Sequence, residues 1–371
     1  MNSKLLLAIS ISIAALPACT FADDPSPASP RVSVITVAGG LEHPWSVAFL
    51  PGGDLLVTER PGRLRLVRDG ALVGQPVAGT PAVVAQNQGG LLDVVLHPAF
   101  AENGFVYLTY AAACEDGATT AVGRGVWKDG ALEGFTELFR ADACAPGGRH
   151  HGSRLVFDRD GYLFMTVGER GRPDWAQDKA NNAGATLRLH DDGTIPDDNP
   201  FVGRDGHDAN WTWGNRNPQG MAVHPATGEI WQHEHGPRGG DEINIVRKGA
   251  NYGWPQVTFG REYSGATITE VRTRDDIEPP LKQWTPSIAP SGLAIYGGGA
   301  FPEWRHDLFV GALSHQHLAR VRFEEGREVA SEKLLEGIGR VRDVKVGPDG
   351  FIYLAIDARD GRVVRLEPAD D

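Results

Sequence analysis

Two short polar segments in the middle of the chain combine ionisable side chains with turn-forming residues. The first covers residues 216–220 (RNPQG), and the second covers residues 234–244 (EHGPRGGDEIN). Residues 221–232, which lie between them, are predicted to form two strands across a turn at residues 224–228. Both polar segments should therefore lie at one edge of the fold. Either segment alone is more typical of a solvated turn, but together they predict a functional site.

Six further motifs occur in a fixed order along the chain. They are HPWSVAF at 43–49, QGGLLDV at 88–94, HHGSRLVF at 150–157, NYGWP at 251–255, APSGL at 289–293 and RVRDV at 340–344. With the two central segments, these motifs resemble those of the soluble sugar dehydrogenases that depend on pyrroloquinoline quinone (PQQ). The resemblance is to the bacterial aldose sugar dehydrogenase branch of the glucose/sorbosone dehydrogenase family, and it covers nearly all of the mature chain.

Composition fits a turn-rich fold and argues against one class of partner. The chain has 371 residues, which suits one large or two ordinary domains, and its 47 Gly and 25 Pro indicate many tight turns rather than long helices. Its formal net charge is -12. Because a general nucleic-acid surface needs a concentrated basic face, we expect no nucleic-acid partner.

An internal repeat predicts the fold. A strand, a turn rich in Gly, Pro and Asp, and a second strand recur at residues 45–56, 91–108, 155–167, 221–232, 292–310 and 344–355. Successive turns are roughly 45 to 75 residues apart, which suits a four-stranded propeller blade with variable loops. We therefore predict an all-β, six-bladed β-propeller over residues 31–371. The N-terminal strand at 32–37 should complete the last blade beside 361–366 and hide the sheet edges; a sandwich or two smaller barrels is the alternative fold.

The first 22 residues are predicted to be a secretory signal. Lys4 precedes an apolar run at residues 5–16, which at about 12 residues is too short to span a bilayer. The sequence LPAC, ending at Cys19, resembles a lipoprotein box, and cleavage after Ala22 is the alternative. Residues 23–30 are predicted to be a flexible tether. We expect a periplasmic or secreted protein, with an outer-membrane lipid anchor at Cys19 as its one route to a membrane.

Two cysteines remain in the mature chain once Cys19 is set aside. Cys114 and Cys144 form an even pair in an oxidising compartment, which favours a disulfide between them. The bridge would close a loop of about 30 residues and contribute about 3 kcal/mol. Two buried free thiols are the alternative.

The resemblance implies oxidation of the C1 hydroxyl group of an aldose to a lactone. Hydride would pass to PQQ, and the electrons would then pass to a quinone or cytochrome acceptor other than oxygen. Such a reaction needs a base for the hydroxyl proton, and an ordinary imidazole has a useful neutral fraction near pH 7. His150 is the candidate base, because the run GSRLV after it matches the family pattern and selects it over His151.

The resemblance also implies a cofactor pocket rich in cations. PQQ carries three carboxylates and an ortho-quinone, which suit guanidinium groups. Arg340 and Arg342 are two residues apart on a predicted strand, so they should face the same side and hold carboxylates. The family pattern adds four lining residues: Gln88, Arg216, Asn217 and Tyr263.

A calcium ion is implied beside the cofactor, where it would polarise the quinone carbonyl. Gly236, Pro237 and Tyr252 match family positions that offer carbonyl oxygens, and Glu242 matches the carboxylate. A solvated turn and strand is the alternative interpretation of these residues. One position departs from the pattern: Ser314 replaces a lysine that relatives usually place near the cofactor. His315 or His317 is the candidate substitute.

Two other classes of function stay open at this point. The run His233-Glu234-His235 puts two histidines on one side of a strand, which suits a metal-dependent hydrolase or lactonase. A propeller that binds a partner without catalysis is the other alternative. The sequence contains no P-loop, dinucleotide-binding fingerprint or nucleophile elbow.

Overall fold

Six antiparallel sheets account for nearly all the regular structure in residues 30–369, the part of the chain that the computed structural model describes. Each sheet is one blade of a β-propeller, so the predicted all-β, six-bladed fold is confirmed. Helical structure in this range is limited to Phe100–Asn103 and two 3-10 segments, Pro173–Gln177 and Pro302–Trp304. The predicted leader, Cys19 and all but the last residue of the predicted tether lie outside the described residues.

The blades follow one another along the chain. Blade 1 contains β2 (Pro44–Phe49), β3 (Leu55–Glu59), β4 (Arg63–Arg68) and β5 (Ala71–Leu72), and blade 2 contains β6 (Leu91–Leu96), β7 (Phe105–Cys114), β8 (Gly117–Lys128) and β9 (Ala131–Arg140). Blade 3 contains β10 (Leu155–Phe157), β11 (Leu163–Val167) and β12 (Ala185–Leu189), and blade 4 contains β13 (Pro218–Val223), β14 (Ile230–Glu234), β15 (Asp241–Ile245) and β16 (Lys282–Trp284). Blade 5 contains β17 (Pro290–Ile295), β18 (Leu308–Ala312), β19 (Leu318–Glu324) and β20 (Arg327–Leu334), and blade 6 contains β21 (Val341–Val346), β22 (Ile352–Ile356), β23 (Gly361–Pro368) and β1 (Val32–Leu41).

The six predicted hairpins are the first two strands of the six blades. Their turns use side chains that bond the local backbone: in blade 3, Asp158 Oδ1 accepts hydrogen bonds from the amides of Asp160 and Tyr162, at 3.0 and 2.8 Å. Blade 3 departs from the expected four strands. Where a fourth strand would begin, Leu187 and Asn210 form an isolated bridge, and the chain then continues toward β13.

The N-terminal strand closes the ring, as predicted. β1 pairs antiparallel with β23, with Val34 opposite Leu366. The strand that precedes blade 1 thereby becomes the outer strand of blade 6, which covers the edge of that sheet.

Apolar side chains fill the spaces between neighbouring blades. Within the described chain, six clusters of buried aliphatic and aromatic residues lie one at each junction between blades. The junction of blades 6 and 1, where the ring closes, contains Val57, Val67 and Val363. Burial of these side chains is the main favourable term that holds the blades together.

A buried cluster of charges lies where the inner strands converge. Arg154 Nη1 lies 3.0 Å from Asp93 Oδ1 and 3.0 Å from Asp343 Oδ1. Arg154 Nε donates to the carbonyl of Gln219 at 3.0 Å, and its guanidinium lies 4.4 Å from the ring centre of Trp45. These contacts join the inner strands of blades 1, 2, 3, 4 and 6.

Cys114 and Cys144 are joined by a disulfide with a sequence separation of 30, so the predicted pairing is confirmed. The bridge ties the end of β7 to the segment that follows β9. No helix in residues 30–369 is long and apolar enough to cross a bilayer.

Replacement of Arg154 by methionine should destabilise the fold by about 3 to 5 kcal/mol, because it leaves Asp93 and Asp343 buried without their cation. Urea unfolding followed by circular dichroism measures the change. Arg274→Met, which removes an exposed ion pair with Asp276, is the matched control and should leave the midpoint unchanged. Equal midpoints for the two variants would contradict the role given to Arg154.

Candidate active site

All six blades contribute residues to one cavity of about 680 Å³. Its wall combines cations, imidazoles and amides with a few apolar side chains. The lining residues are His43, Trp45, Arg60, Asn87, Gln88, Leu92, His151, Gly152, Gln219, His235, Ala289, Leu313, Ser314, Arg340, Arg342, Asp357 and Ala358. They come from loops or strand ends at one end of the propeller, which is how residues far apart in sequence become neighbours.

His150 is not itself a lining residue of this cavity, whereas its neighbour His151 and its hydrogen-bond partner Gln88 are. Its backbone is left-handed, with φ 47°, and its amide donates to Gln88 Oε1 at 2.8 Å. Its Nδ1 forms a short hydrogen bond with Glu169 Oε2. A carboxylate accepts but does not donate, so Nδ1 carries the proton and Nε2 of the neutral ring is free to accept one.

The environment of His150 favours the neutral imidazole. Burial lowers the pKa of His150 below its ordinary value of 6.5, and the bond to Glu169 opposes that shift. Neighbouring Arg216 and Arg170 lower the pKa further. His150 is therefore an unprotonated base near neutral pH, with a carboxylate in place to stabilise the imidazolium once it forms.

Glu169 was not predicted as a site residue. It follows β11 directly in a Gly-Glu-Arg-Gly loop, and the amide of Gly171 donates to Oε2 at 2.7 Å. A side chain at Gly168 would put its Cβ 2.2 Å from the carbonyl oxygen of His150, so only glycine allows this approach. A carboxylate between glycines after a predicted strand was the signal in the sequence.

Arg340 and Arg342 line the cavity together, as their spacing predicted. Arg340 Nε lies 3.5 Å, and Arg342 Nη2 lies 3.6 Å, from Asp357 Oδ2. Burial lowers the pKa of Arg342 to about 10, with Asp357 opposing the shift, so the side chain stays charged at neutral pH. Arg342 Nη1 donates to Gln219 Oε1 at 3.1 Å, which fixes the guanidinium against blade 4.

Arg216 and Asn217 do not line the cavity, but both form hydrogen bonds to residues in or next to its lining. Arg216 Nη1 donates to the carbonyls of His235 and Gly236, at 3.2 and 3.3 Å. Asn217 Oδ1 accepts from the amide of Gly152 at 3.2 Å. These contacts connect the two central polar segments to each other and to the loop that carries His150, so the predicted grouping of those segments at one edge holds.

Tyr263 is a predicted cofactor residue that lies away from the cavity. It is 71% exposed and lies in a small hairpin, where Arg261 pairs with Thr267 and the amide of Glu262 donates to the carbonyl of Ala266. The hairpin projects its tip into solvent. Ser314 lines the cavity, whereas His315 and His317, its candidate substitutes, are absent from the lining.

The four predicted metal positions do not line one cavity. Glu242 and Tyr252 border a separate cavity of about 340 Å³ together with Glu278, while Gly236 lies next to Arg216. Neighbouring residues of a strand face opposite sides, and Asp241, not Glu242, bonds the amide of Gly236.

Glu242 nevertheless has the chemistry of an oxygen ligand. It lies opposite Glu234 on the neighbouring strand. Burial and the charge of Glu234 raise the pKa of Glu242 well above its ordinary value, and burial raises that of Glu234 to about 7. Neither carboxylate forms an ion pair within residues 30–369, and this range contains no cluster of three or more histidine, cysteine or acidic side chains suited to a metal. A hard cation held with backbone carbonyls would compensate this buried charge.

The two histidines that suggested a hydrolase are engaged elsewhere. His233 Nε2 lies 3.4 Å from the carbonyl of Gly292, and His235 Nε2 lies 2.5 Å from that of Pro290. These contacts engage Nε2 of each ring, and residues 30–369 contain no group of three or more histidine, cysteine or acidic side chains that could complete a zinc site around Nδ1.

Comparison with known proteins identifies the family to which the chain belongs. The model of the glucose/sorbosone dehydrogenase family matches residues 41–365. The chain belongs to this family. It is 43% identical over 345 residues to the aldose sugar dehydrogenase YliI of Escherichia coli strain K12, covering 91% of this chain and 93% of that protein. The family is one of oxidoreductases, so the enzyme class is established with the membership.

Solved structures extend the comparison. The soluble aldose sugar dehydrogenase of E. coli in its apo form has a TM-score of 0.87 at 40% identity, covering 91% of this chain and all (100%) of that one. The PQQ-bound aldose sugar dehydrogenase of Streptomyces coelicolor has a TM-score of 0.76 at 28% identity, covering 91% and 99%. The residues of our cavity fit such a ligand, because Arg60, Arg340 and Arg342 offer guanidinium groups to carboxylates.

Glu169→Gln should lower the pKa of His150 further below its present value, because the amide removes the negative charge that favours the imidazolium. NMR titration of the histidine ring protons measures the pKa. The matched control is Glu137→Gln, which alters a carboxylate paired with Arg140 on blade 2. A pKa of His150 that rises or stays constant in Glu169→Gln would contradict the assigned contact.

Proposed function

We propose that this protein is an exported, PQQ-dependent dehydrogenase that oxidises the C1 hydroxyl group of aldose sugars to lactones. Its electrons would pass to a quinone or cytochrome acceptor. The observation that carries the proposal is the placement of a buried imidazole–carboxylate pair, His150 and Glu169, beside a cavity lined with guanidinium groups. Membership of the glucose/sorbosone dehydrogenase family supports it, and the predicted leader supports export.

His150 takes the hydroxyl proton in this proposal. The sugar loses a hydride from C1 and a proton from the C1 oxygen, which leaves the lactone carbonyl. Nε2 of His150 accepts the proton, and Glu169 holds the opposite nitrogen and stabilises the resulting positive charge. The backbone of His150 is fixed by Gln88, so the ring needs little reorganisation.

Bound PQQ would supply the quinone that receives the hydride, and calcium would supply a Lewis acid beside it. Arg340 and Arg342 are the residues proposed to hold carboxylates of the cofactor. The desolvated Arg342 gains most from such a contact, because charge-assisted hydrogen bonds strengthen as water is excluded.

Calcium is the proposed ion because all four predicted ligands offer oxygen. The carbonyls of Gly236 and Pro237 belong to the segment that Arg216 ties to the cavity. Glu242 and Tyr252 lie at the separate cavity on the flank of blade 4. We propose that the carbonyls of Gly236 and Pro237 hold the ion beside the cofactor. Glu242 and Tyr252 border the other cavity and would not hold that same ion.

Apoprotein supplied with PQQ and calcium should oxidise aldoses in the presence of an artificial electron acceptor. His150→Ala should lower turnover by about two to four orders of magnitude, because it removes the general base, while most PQQ binding is retained. His151→Ala should have a much smaller effect. Retained turnover in His150→Ala would contradict the assignment of the base.

The same assay tests the metal. Exhaustive chelation should abolish activity, and calcium should restore it in the presence of PQQ. Zinc-dependent hydrolysis of a lactone without PQQ, measured in a separate assay, would support a hydrolase instead. Activity that survives chelation would contradict both.

A further inference from the structure

A second imidazole–carboxylate pair lies in the same cavity wall. His43 Nδ1 lies 2.7 Å from Asp357 Oδ1, and both residues line the cavity. His43 has a left-handed backbone, with φ 49°. Its amide donates to the carbonyl of Ala358 at 2.8 Å, and its carbonyl accepts from the amide of Arg60 at 3.1 Å. The ring is therefore fixed by its side chain and by both backbone groups.

The bond to Asp357 determines which ring nitrogen is available. The carboxylate accepts from Nδ1–H, which leaves Nε2 as an acceptor when the ring is neutral and as a charged donor when it is protonated. This pair repeats the arrangement of His150 and Glu169 in a different electrostatic setting, because its carboxylate is shared with two guanidinium groups.

The charged groups around His43 are mostly cations. Arg340 and Arg342 approach from blade 6 through Asp357, and Arg60 lines the cavity from blade 1. Glu42, next to His43 in the chain, is paired with Arg63 at 2.7 Å, and Arg359 follows the turn that carries Asp357. An imidazolium here would add to a positive surface, which only an anion can balance.

The charges on the cavity wall leave a positive surplus. The three guanidinium groups of Arg60, Arg340 and Arg342, set against the carboxylate of Asp357, leave a surplus of two positive charges. Ser314 lines the same cavity and contributes none. Protonated His43 would raise the surplus from the side chains alone to three, which suits a ligand with several carboxylates such as PQQ.

We propose that His43 binds a carboxylate of the cofactor through Nε2 and takes up a proton when it does so. This assignment rests on the proposed function, in which the cofactor is PQQ. His43 thus supplies the positive charge that Ser314 does not, and cofactor affinity falls as rising pH makes protonation of His43 harder. A purely structural role, in which His43 only positions Asp357, would involve no proton.

Calorimetric titration of the apoprotein with PQQ, at constant calcium, distinguishes the two roles. Repeating the titration in buffers of different ionisation enthalpy counts the protons taken up. For the wild type we expect uptake of up to one proton per PQQ and an affinity roughly tenfold weaker at about pH 8.5 than at about pH 6. His43→Gln should bind about tenfold more weakly at the lower pH, because a charge-assisted contact is lost, and its proton uptake should fall to near zero.

Two further variants complete the test. His43→Lys carries a fixed charge, so it should keep the affinity of the wild type without its pH dependence. His97→Gln removes a histidine near Asp191, outside the cavity lining, and should behave as the wild type.

Failure of the proposed function and failure of the role of His43 would give different results. Absence of PQQ binding by the wild type at every pH would overturn the proposed function and this inference with it. Binding by the wild type with unchanged affinity or unchanged proton uptake in His43→Gln would overturn the role of His43 alone.

Discussion

The buried ion pairs of Arg154 hold the inner strands of the propeller in place. Two carboxylates, Asp93 and Asp343, share one guanidinium at the centre of the ring, where an unpaired charge would be costly. The same three residues sit within a few positions of the functional groups: Leu92 precedes Asp93, Arg342 precedes Asp343, and His150 lies shortly before Arg154 in the chain. Fixing the inner strands against one another therefore also fixes the loops that carry the proposed base and the cationic wall.

His150 and His43 are similar imidazole–carboxylate pairs in different surroundings. At His150, desolvation lowers the pKa and a carboxylate of its own holds the ring, which suits proton abstraction. At His43, the carboxylate is shared with Arg340 and Arg342, which suits an anion. Asp357 keeps a pKa below its usual value although burial opposes this, because Arg342, His43 and Arg340 together outweigh the cost of burial. The surroundings of His43 thus favour an anionic ligand, and those of His150 favour an unprotonated imidazole.

Much of the fold could be predicted because strands and tight turns depend on residues that are close together in the sequence. Turn residues between alternating strands identified both inner strands of every blade, and the even cysteine pair identified the disulfide. Pairings between distant segments were harder: Asp357 meets His43 across most of the chain, and Glu169 reaches His150 from the next loop. The spacing of residues along a strand does not predict contacts between side chains from different blades or loops. Tyr263 was predicted wrongly to line the cavity because its position matches the family pattern. The conformation of its own hairpin leaves its side chain exposed to solvent.

The most direct test of the account is a single turnover without any electron acceptor. Protein loaded with PQQ and calcium is mixed anaerobically with one equivalent of an aldose, and the absorbance of the bound cofactor is followed. The account predicts full conversion of the cofactor to its reduced form together with one equivalent of lactone. A cofactor that remains oxidised while it stays bound, across a panel of aldoses, would contradict the claim that this cavity oxidises sugars.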